Sequence, residues 1–224
     1  MGEVVNPLAH ERTRSNPILA DYSTITYHHA SSAQADQFRV LRNNIRFAVT
    51  DAPFASLAVT SPRPGNGTTT VAVNLSIAFA QRGDRVLLID ANVRRPALHR
   101  ILNVKAGPGL AEAVGQRAVI EEVIQETPIG NLCVISSGLA VTELLDLRDS
   151  AVMEQLELTQ DFDIVLVDCP PVLSASEASL LASGCRAALL VIENGRTSAG
   201  DALEAKRLLE FGHVRIAGTF FNKK

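Results

Sequence analysis

Continuous apolar runs, each followed by a stretch with helical spacing, constrain this chain more than any other feature. "SLAVTS", "RVLLIDA", "NLCVISS", "FDIVLVDCPP", "AALLVIE" and "RIAGTFFN" read as strands. They are unbroken in hydrophobicity rather than alternating, which is the pattern of strands buried on both faces. Between them, "TTTVAVNLSIAFAQRG", "TELLDL", "SAVMEQLEL" and "SAGDALEAKRLLEFG" read as helices, the first closed by Gly83. Strands and helices in this order predict an α/β fold: a doubly wound, mostly parallel sheet covered by helices in three layers.

A chain of 224 residues, 46% of them hydrophobic, suits one large domain. Residues 1–30 are polar, mixed in sign and without periodicity, and read as a flexible N-terminal arm; residues 31–224 form the expected domain. The domain opens with "SSAQADQFRVLRNNIRFAV". Phe38, Leu41, Ile45 and Val49 share one stripe there, with Arg39, Arg42 and Arg46 on an adjoining face, and Ser31 with Gln34 offers a capping box. A net charge of −3 and a pI near 6.0 argue against a nucleic-acid partner. Cys133, Cys169 and Cys185 lack metal-ligand spacing and fit buried reduced thiols of a cytoplasmic protein. There is neither an apolar run of membrane-spanning length nor a signal-peptide core.

"SPRPGNGTTTVAVNLS", residues 61–76, is a strand–loop–helix junction. Backbone N–H groups at such a junction favour anions. Gly65 and Gly67 allow close backbone approach, with Asn66 between them, and Thr68, Thr69 and Thr70 open the helix. Thr69 stands where a Mg²⁺-ligating hydroxyl is expected in a phosphate-cradling loop, but the lysine of that pattern is replaced by Thr68, and Pro62 stands in place of the first glycine. The plain alternative is a turn that starts a helix. Asp90 ends the strand of "LLIDANVRRP" and Asp168 ends that of "DIVLVDCPPV". Either carboxylate could simply cap the turn that follows. In a parallel sheet, however, the carboxyl ends of the strands line the ligand crevice, and all three features fall on that edge.

These segments, with "ADQFRVLRNNIRF", "VLLIDANVRRPALHRIL", "GLAEAV" and the terminal "AGTFFN", resemble the bacterial tyrosine kinases that act with chain-length regulators of capsular and extracellular polysaccharide. The resemblance runs from about residue 34 to the end. It implies a P-loop ATPase fold related to the Min and Par ATPases, with ATP and Mg²⁺ as cofactors. It makes Asp90 a candidate base for a tyrosine hydroxyl, Asp168 the acid that organises Mg²⁺ with Thr69 and Asp90, and Asn222 a contact to the adenine edge. It also implies a homo-oligomer through Asp36, Arg39 and Arg42, where Asp36 replaces the family's glutamate. The expected partner is a membrane-bound polysaccharide chain-length regulator, holding a cytoplasmic protein at the inner face of the membrane. Three departures point to weakened or lost kinase activity: Thr68 for the loop lysine, Asn92 for the second acid of the Asp-x-Asp motif, and no tyrosine-rich tail after "FFNKK". Tyr22 and Tyr27 are the tyrosines of this sequence. The alternatives are a catalytically inactive pseudokinase acting as an oligomeric interaction module, and a Min- or Par-like ATPase. In the latter, Arg63 occupies the place of the signature lysine and could bring a replacement charge into the site.

Overall fold

The computed structural model describes residues 24–49, 55–139 and 161–223. Two of the predicted helices, "TELLDL" and "SAVMEQLEL", and most of the N-terminal arm lie outside these residues. The strands are β1 (Ala55–Thr60), β2 (Val86–Asp90), β3 (Gln125–Glu126), β4 (Leu132–Ile135), β5 (Ile164–Asp168), β6 (Ala187–Glu193) and β7 (Ile216–Asn222). They form one sheet in the order β3-β4-β2-β5-β1-β6-β7. Every pairing is parallel except the short β3–β4 edge. The sequence reading missed β3, because two polar residues, one half-buried and one exposed, carry no hydrophobic pattern.

The described helices are α1 (Ile25–His28), α2 (Ala33–Val49), α3 (Thr68–Ala80), α4 (Leu98–Ile101), α5 (Leu110–Val114), α6 (Glu177–Ser183) and α7 (Ala199–Phe211). They divide between the two faces of the sheet. Leu57, Val59, Leu88, Leu166 and Leu189 pack with α1, α2, α3 and α4 on one face. Ala58, Leu87, Ile89, Val165, Val167 and Leu190 pack with α5, α6 and α7 on the other. Alternate residues of each strand thus enter opposite layers, which is why the strands read as unbroken apolar runs. Helix α3 is apolar around most of its circumference and is buried between the sheet and α1 and α2.

On α2, Phe38, Ile45 and Val49 are buried as their spacing predicts, and Leu41 packs beside them. Two expectations at this end are corrected. The helix is capped by Ser32, whose Oγ accepts from the Ala35 N–H at 3.2 Å, so the cap lies one residue later than Ser31. Residues 24–30, assigned to the arm from their polarity, include α1, where Ile25 and Thr26 are buried. The Thr26 N–H donates to Asn74 Oδ1 of α3 at 2.8 Å, and Gln81 Nε2 donates to the Thr26 carbonyl at 2.9 Å. Polar side chains here satisfy the backbone of a packed segment, which a polarity count cannot distinguish from solvation. Among the described residues, no helix is long and apolar enough to cross a membrane.

Candidate functional site

The carboxyl ends of β2, β5 and β1 are adjacent, and Asp90 pairs in register with Asp168 across β2 and β5. The loop from Ser61 to Gly67 follows β1 directly and delivers the chain to α3. The sequence-predicted residues Gly65, Gly67, Thr69, Asp90 and Asp168 therefore converge on one edge of the sheet. Asn222, at the end of β7, reaches the same loop: its Nδ2 donates to the Asn66 carbonyl at 3.1 Å.

The glycines are required by conformation. Gly67 caps α3 at φ +87°, and Gly65 also has φ +87°, a region that costs a residue with a Cβ roughly 1–2 kcal/mol. Space is closed as well: a methyl group on Gly67 would fall 2.4 Å from Asn222 Nδ2. Asn66 is fully buried and braces the loop. Its Oδ1 accepts from the Arg63 N–H at 3.2 Å, and its Nδ2 donates to Thr197 Oγ1 at 2.9 Å. Asn66 was expected from the sequence as a nucleotide contact, and its side-chain oxygen and nitrogen are both engaged within the protein.

The threonines divide their work. Thr68, at the position of the missing lysine, is buried and donates from Oγ1 to Ser61 Oγ at 2.9 Å. Ser61 in turn donates to the Arg63 carbonyl at 3.1 Å. Thr68 therefore braces the loop from below and brings no charge to it. Thr69 donates from Oγ1 to Asp168 Oδ2 at 2.6 Å. The Thr70 carbonyl accepts from Asn74 Nδ2 at 2.8 Å. Thr70 and Asn222 both line a cavity of about 890 Å³ between α2 and β7, together with Phe38, Leu41 and Phe220.

The two carboxylates differ in how they are satisfied. Asp90 Oδ1 accepts from the Asn92 N–H at 3.2 Å, and its Oδ2 accepts from the Ala97 and Leu98 N–H groups at 3.0 and 3.1 Å. It caps the start of α4, so the structural alternative holds for this residue whatever else it does. Burial raises its pKa from 3.8 to about 6 against the pull of those N–H groups. Asp168 is more exposed to the cost of burial. Its Oδ1 is buried and has no hydrogen-bond partner among the described residues. Burial first, and then the charge of Asp90, push its pKa well above 3.8, and the Thr69 bond offsets only part of this. A buried carboxylate oxygen without a partner costs several kcal/mol in a medium of low polarity unless a cation or donor meets it.

A hydroxyl, an orphaned carboxylate oxygen and the N-terminus of a 13-residue helix fit a Mg²⁺–polyphosphate complex. Mg²⁺ is bound through one or two protein oxygens, with waters and phosphate oxygens completing its shell. Thr69 and Asp168 would hold the ion, and the amides of residues 65–69 would face the phosphates. The bound ion supplies neutralisation of phosphate charge.

Several arginines of the chain are engaged by other groups. The Arg63 guanidinium is held by a two-pronged ion pair with Asp201 of α7, at 2.8 and 2.9 Å. Arg94 pairs with Glu177 of α6 at 2.7 Å. On α2, Arg39 pairs with Asp36 of its own chain, and Arg42 donates to the Ala78 carbonyl at 2.9 Å. The turn after β6, with Thr197 bonded to Asn66, belongs to the site and went unnoticed in the sequence. Its signal was a short polar "ENGRTS" after a strand that ends on the same edge.

Comparison with known proteins agrees with this fold. Residues 55–196 match the AAA domain family. Tyrosine-protein kinase YwqD of Bacillus subtilis is 33% identical over 195 residues, covering 86% of this chain and 82% of that protein. Tyrosine-protein kinase etk of Escherichia coli K12 is 31% identical over 215 residues, 94% of this chain, but the match spans only 28% of etk. The kinase domain of Escherichia coli ETK superposes with a TM-score of 0.83 at 28% identity, over 98% of this chain and 84% of that domain. The septum site-determining protein MinD of Pyrococcus horikoshii, complexed with Mg-ADP, shares the fold with a TM-score of 0.66 at 24% identity, over 75% of this chain and 70% of that one. An identity of 33% across most of both chains, on a fold that superposes on a bacterial tyrosine kinase domain, shows that this chain belongs to the bacterial tyrosine-protein kinases.

Proposed function

We propose that the protein binds ATP as its Mg²⁺ complex and serves in the control of capsular or extracellular polysaccharide synthesis and export, with phosphoryl transfer to tyrosine weakened or lost. The observation that carries the nucleotide reading is the buried, unpartnered Oδ1 of Asp168 beside Thr69. The weakening rests on Thr68 and Asn92. Phosphoryl transfer depends almost wholly on positioning and on neutralising the charge that develops on the phosphates. Here a neutral, buried threonine replaces the loop cation, and Asp90 spends both oxygens on backbone N–H groups. The polysaccharide role and a membrane-bound chain-length regulator as partner follow from the family resemblance, as does a place at the cytoplasmic face of the membrane.

Titration of the purified protein with ATP, with and without Mg²⁺, tests the nucleotide reading. Metal-dependent binding supports it, and absence of binding at millimolar nucleotide overturns it. That second outcome would favour the oligomeric interaction module, for which the engagement of Thr68 with Ser61 is the supporting observation.

Assembly through Asp36, Arg39 and Arg42 is part of the same proposal. The Asp36–Arg39 pair lies exposed on one turn of helix, where such a pair contributes only about 0.3–0.5 kcal/mol, so it can exchange for a partner chain at small cost. Replacing both Arg39 and Arg42 with alanine is expected to lower the molecular mass measured by light scattering while the far-ultraviolet circular dichroism stays unchanged. Equal mass for the two proteins would remove this helix from the interface.

A further inference from the structure

We infer that Arg196 supplies the cationic contact to the phosphate chain that position 68 cannot. The inference rests on the nucleotide reading above and extends it to a residue outside the loop.

The site is short of positive charge. Asp90, Asp168 and Glu193 all lie at the ends of strands on this edge, and Thr68 is neutral. Arg63 and Arg94 are committed to Asp201 and Glu177 through direct hydrogen bonds. A polyphosphate entering such a site meets acidic groups and helix-end amides, and the pull of the amides on an anion is modest at an exposed helix end.

Arg196 is differently placed. A methyl group on Gly65 would fall 2.9 Å from its Nη2 and 3.0 Å from its Cζ and Nη1. The guanidinium therefore lies against the face of the loop, and the absence of a side chain at residue 65 leaves it room. Its ion pair is with Glu193, at 3.6 Å, too long for a hydrogen bond. The side chain is 59% exposed. Its N–H donors are thus available to an incoming acceptor, and a guanidinium can meet phosphate oxygens in pairs.

The turn that carries Arg196 is registered to the loop by side chains. Thr197 Oγ1 accepts from Asn66 Nδ2 at 2.9 Å and from the Glu193 N–H at 3.2 Å. The Thr197 N–H donates to the Glu193 carbonyl at 3.0 Å. Asn66, the residue between the two loop glycines, thus ties the β6–α7 turn to the cradle, and Arg196 is the residue next to that tie. The turn that carries Arg196 is thus ordered before a phosphate arrives, which favours binding.

Calorimetric titration of the full chain with Mg·ATP, Mg·ADP and AMP tests this in wild type, Arg196→Ala and Arg196→Lys. Arg196→Ala is expected to weaken ATP and ADP about tenfold and AMP less than about twofold, and to flatten the salt dependence of ATP binding. Arg196→Lys is expected to recover part of the loss. Wild-type nucleotide binding that Arg196→Ala leaves unchanged would overturn the role of Arg196 and leave the nucleotide site standing. An equal loss for AMP and ATP would also overturn it, by assigning the contact to the nucleoside. Absence of nucleotide binding by wild type would overturn both readings together.

Discussion

Asp168→Asn is expected to weaken Mg²⁺-dependent ATP binding roughly tenfold to 100-fold and, in the same molecule, to raise the thermal stability of the nucleotide-free protein at neutral pH. The first effect follows from loss of the charged oxygen proposed to hold the ion. A charge-assisted interaction of this kind is worth about 1.5–3 kcal/mol, or roughly tenfold to 100-fold in affinity at 1.4 kcal/mol per tenfold. The second follows from the cost of holding an unpartnered carboxylate in the sheet. Its pKa is raised in the folded protein by burial and by Asp90. A raised carboxyl pKa means that the folded state holds its proton more tightly than the unfolded chain does. The stability associated with that proton is fully present below the ordinary value of 3.8 and is lost as pH rises through the higher folded value. Asp90, raised to about 6, adds a loss of the same sign between about pH 4 and 6. The side-chain amide introduced by Asp168→Asn carries no charge at any of these values. The variant should therefore match wild type near pH 4 and exceed it at pH 7, by on the order of 1–3 kcal/mol, or several degrees in Tm for a chain of this size. Melting curves from pH 4 to 8, without metal or nucleotide, check this. A variant that is less stable at pH 7, or a difference independent of pH, would mean that Asp168 is not the strained acid described here.

Thr68→Lys should tighten Mg·ATP binding about tenfold or more, and Mg·ADP by less. The wild-type hydroxyl is buried on Ser61 and faces no ligand with a charge. An ammonium at the first residue of α3 adds a charge-assisted bond to the terminal phosphates, on the order of 1.5–3 kcal/mol, where ATP presents more charge than ADP. Losing the bond to Ser61 costs about 1 kcal/mol of stability in the free protein, so a small fall in Tm without nucleotide is also expected. Arg63 does not compete for this role while Asp201 holds it. Arg196 does: two cations neutralising the same phosphates are coupled, and their effects do not add. The gain from Thr68→Lys should thus be larger in an Arg196→Ala background than in wild type. Calorimetry on the four proteins of this cycle measures the coupling. If Thr68→Lys changes nucleotide affinity in neither background, the loop does not hold phosphates.

The architecture was legible because it depends on hydrophobic burial, which leaves a regular pattern in the chain. Unbroken apolar strands such as "VLLID" and "IVLVD" are a direct consequence of helices packed on both faces, and the parallel sheet follows from them. The convergence of Gly65, Gly67, Thr69, Asp90 and Asp168 was legible for the same reason. In a parallel sheet, strand ends of known direction must share an edge. The sequence also showed the missing charge at Thr68, since residue identity alone decides that.

Tertiary structure decided everything that depends on which polar group meets which. Asp90 and Asp168 end similar strands, yet one accepts three backbone N–H bonds and the other is left with an unpartnered oxygen. Arg63 lies within the loop and its guanidinium is held by Asp201, 138 residues later in the chain. Arg196, far from the loop in sequence, lies against Gly65. The polar residues 24–30 were assigned to the arm, although Thr26 is bonded to α3 through Asn74 and Gln81. Hydrophobic burial is non-directional and additive, so a linear pattern encodes it. Hydrogen bonds and ion pairs are short-ranged and directional, so their partners are set only when the fold brings distant segments within about 3 Å.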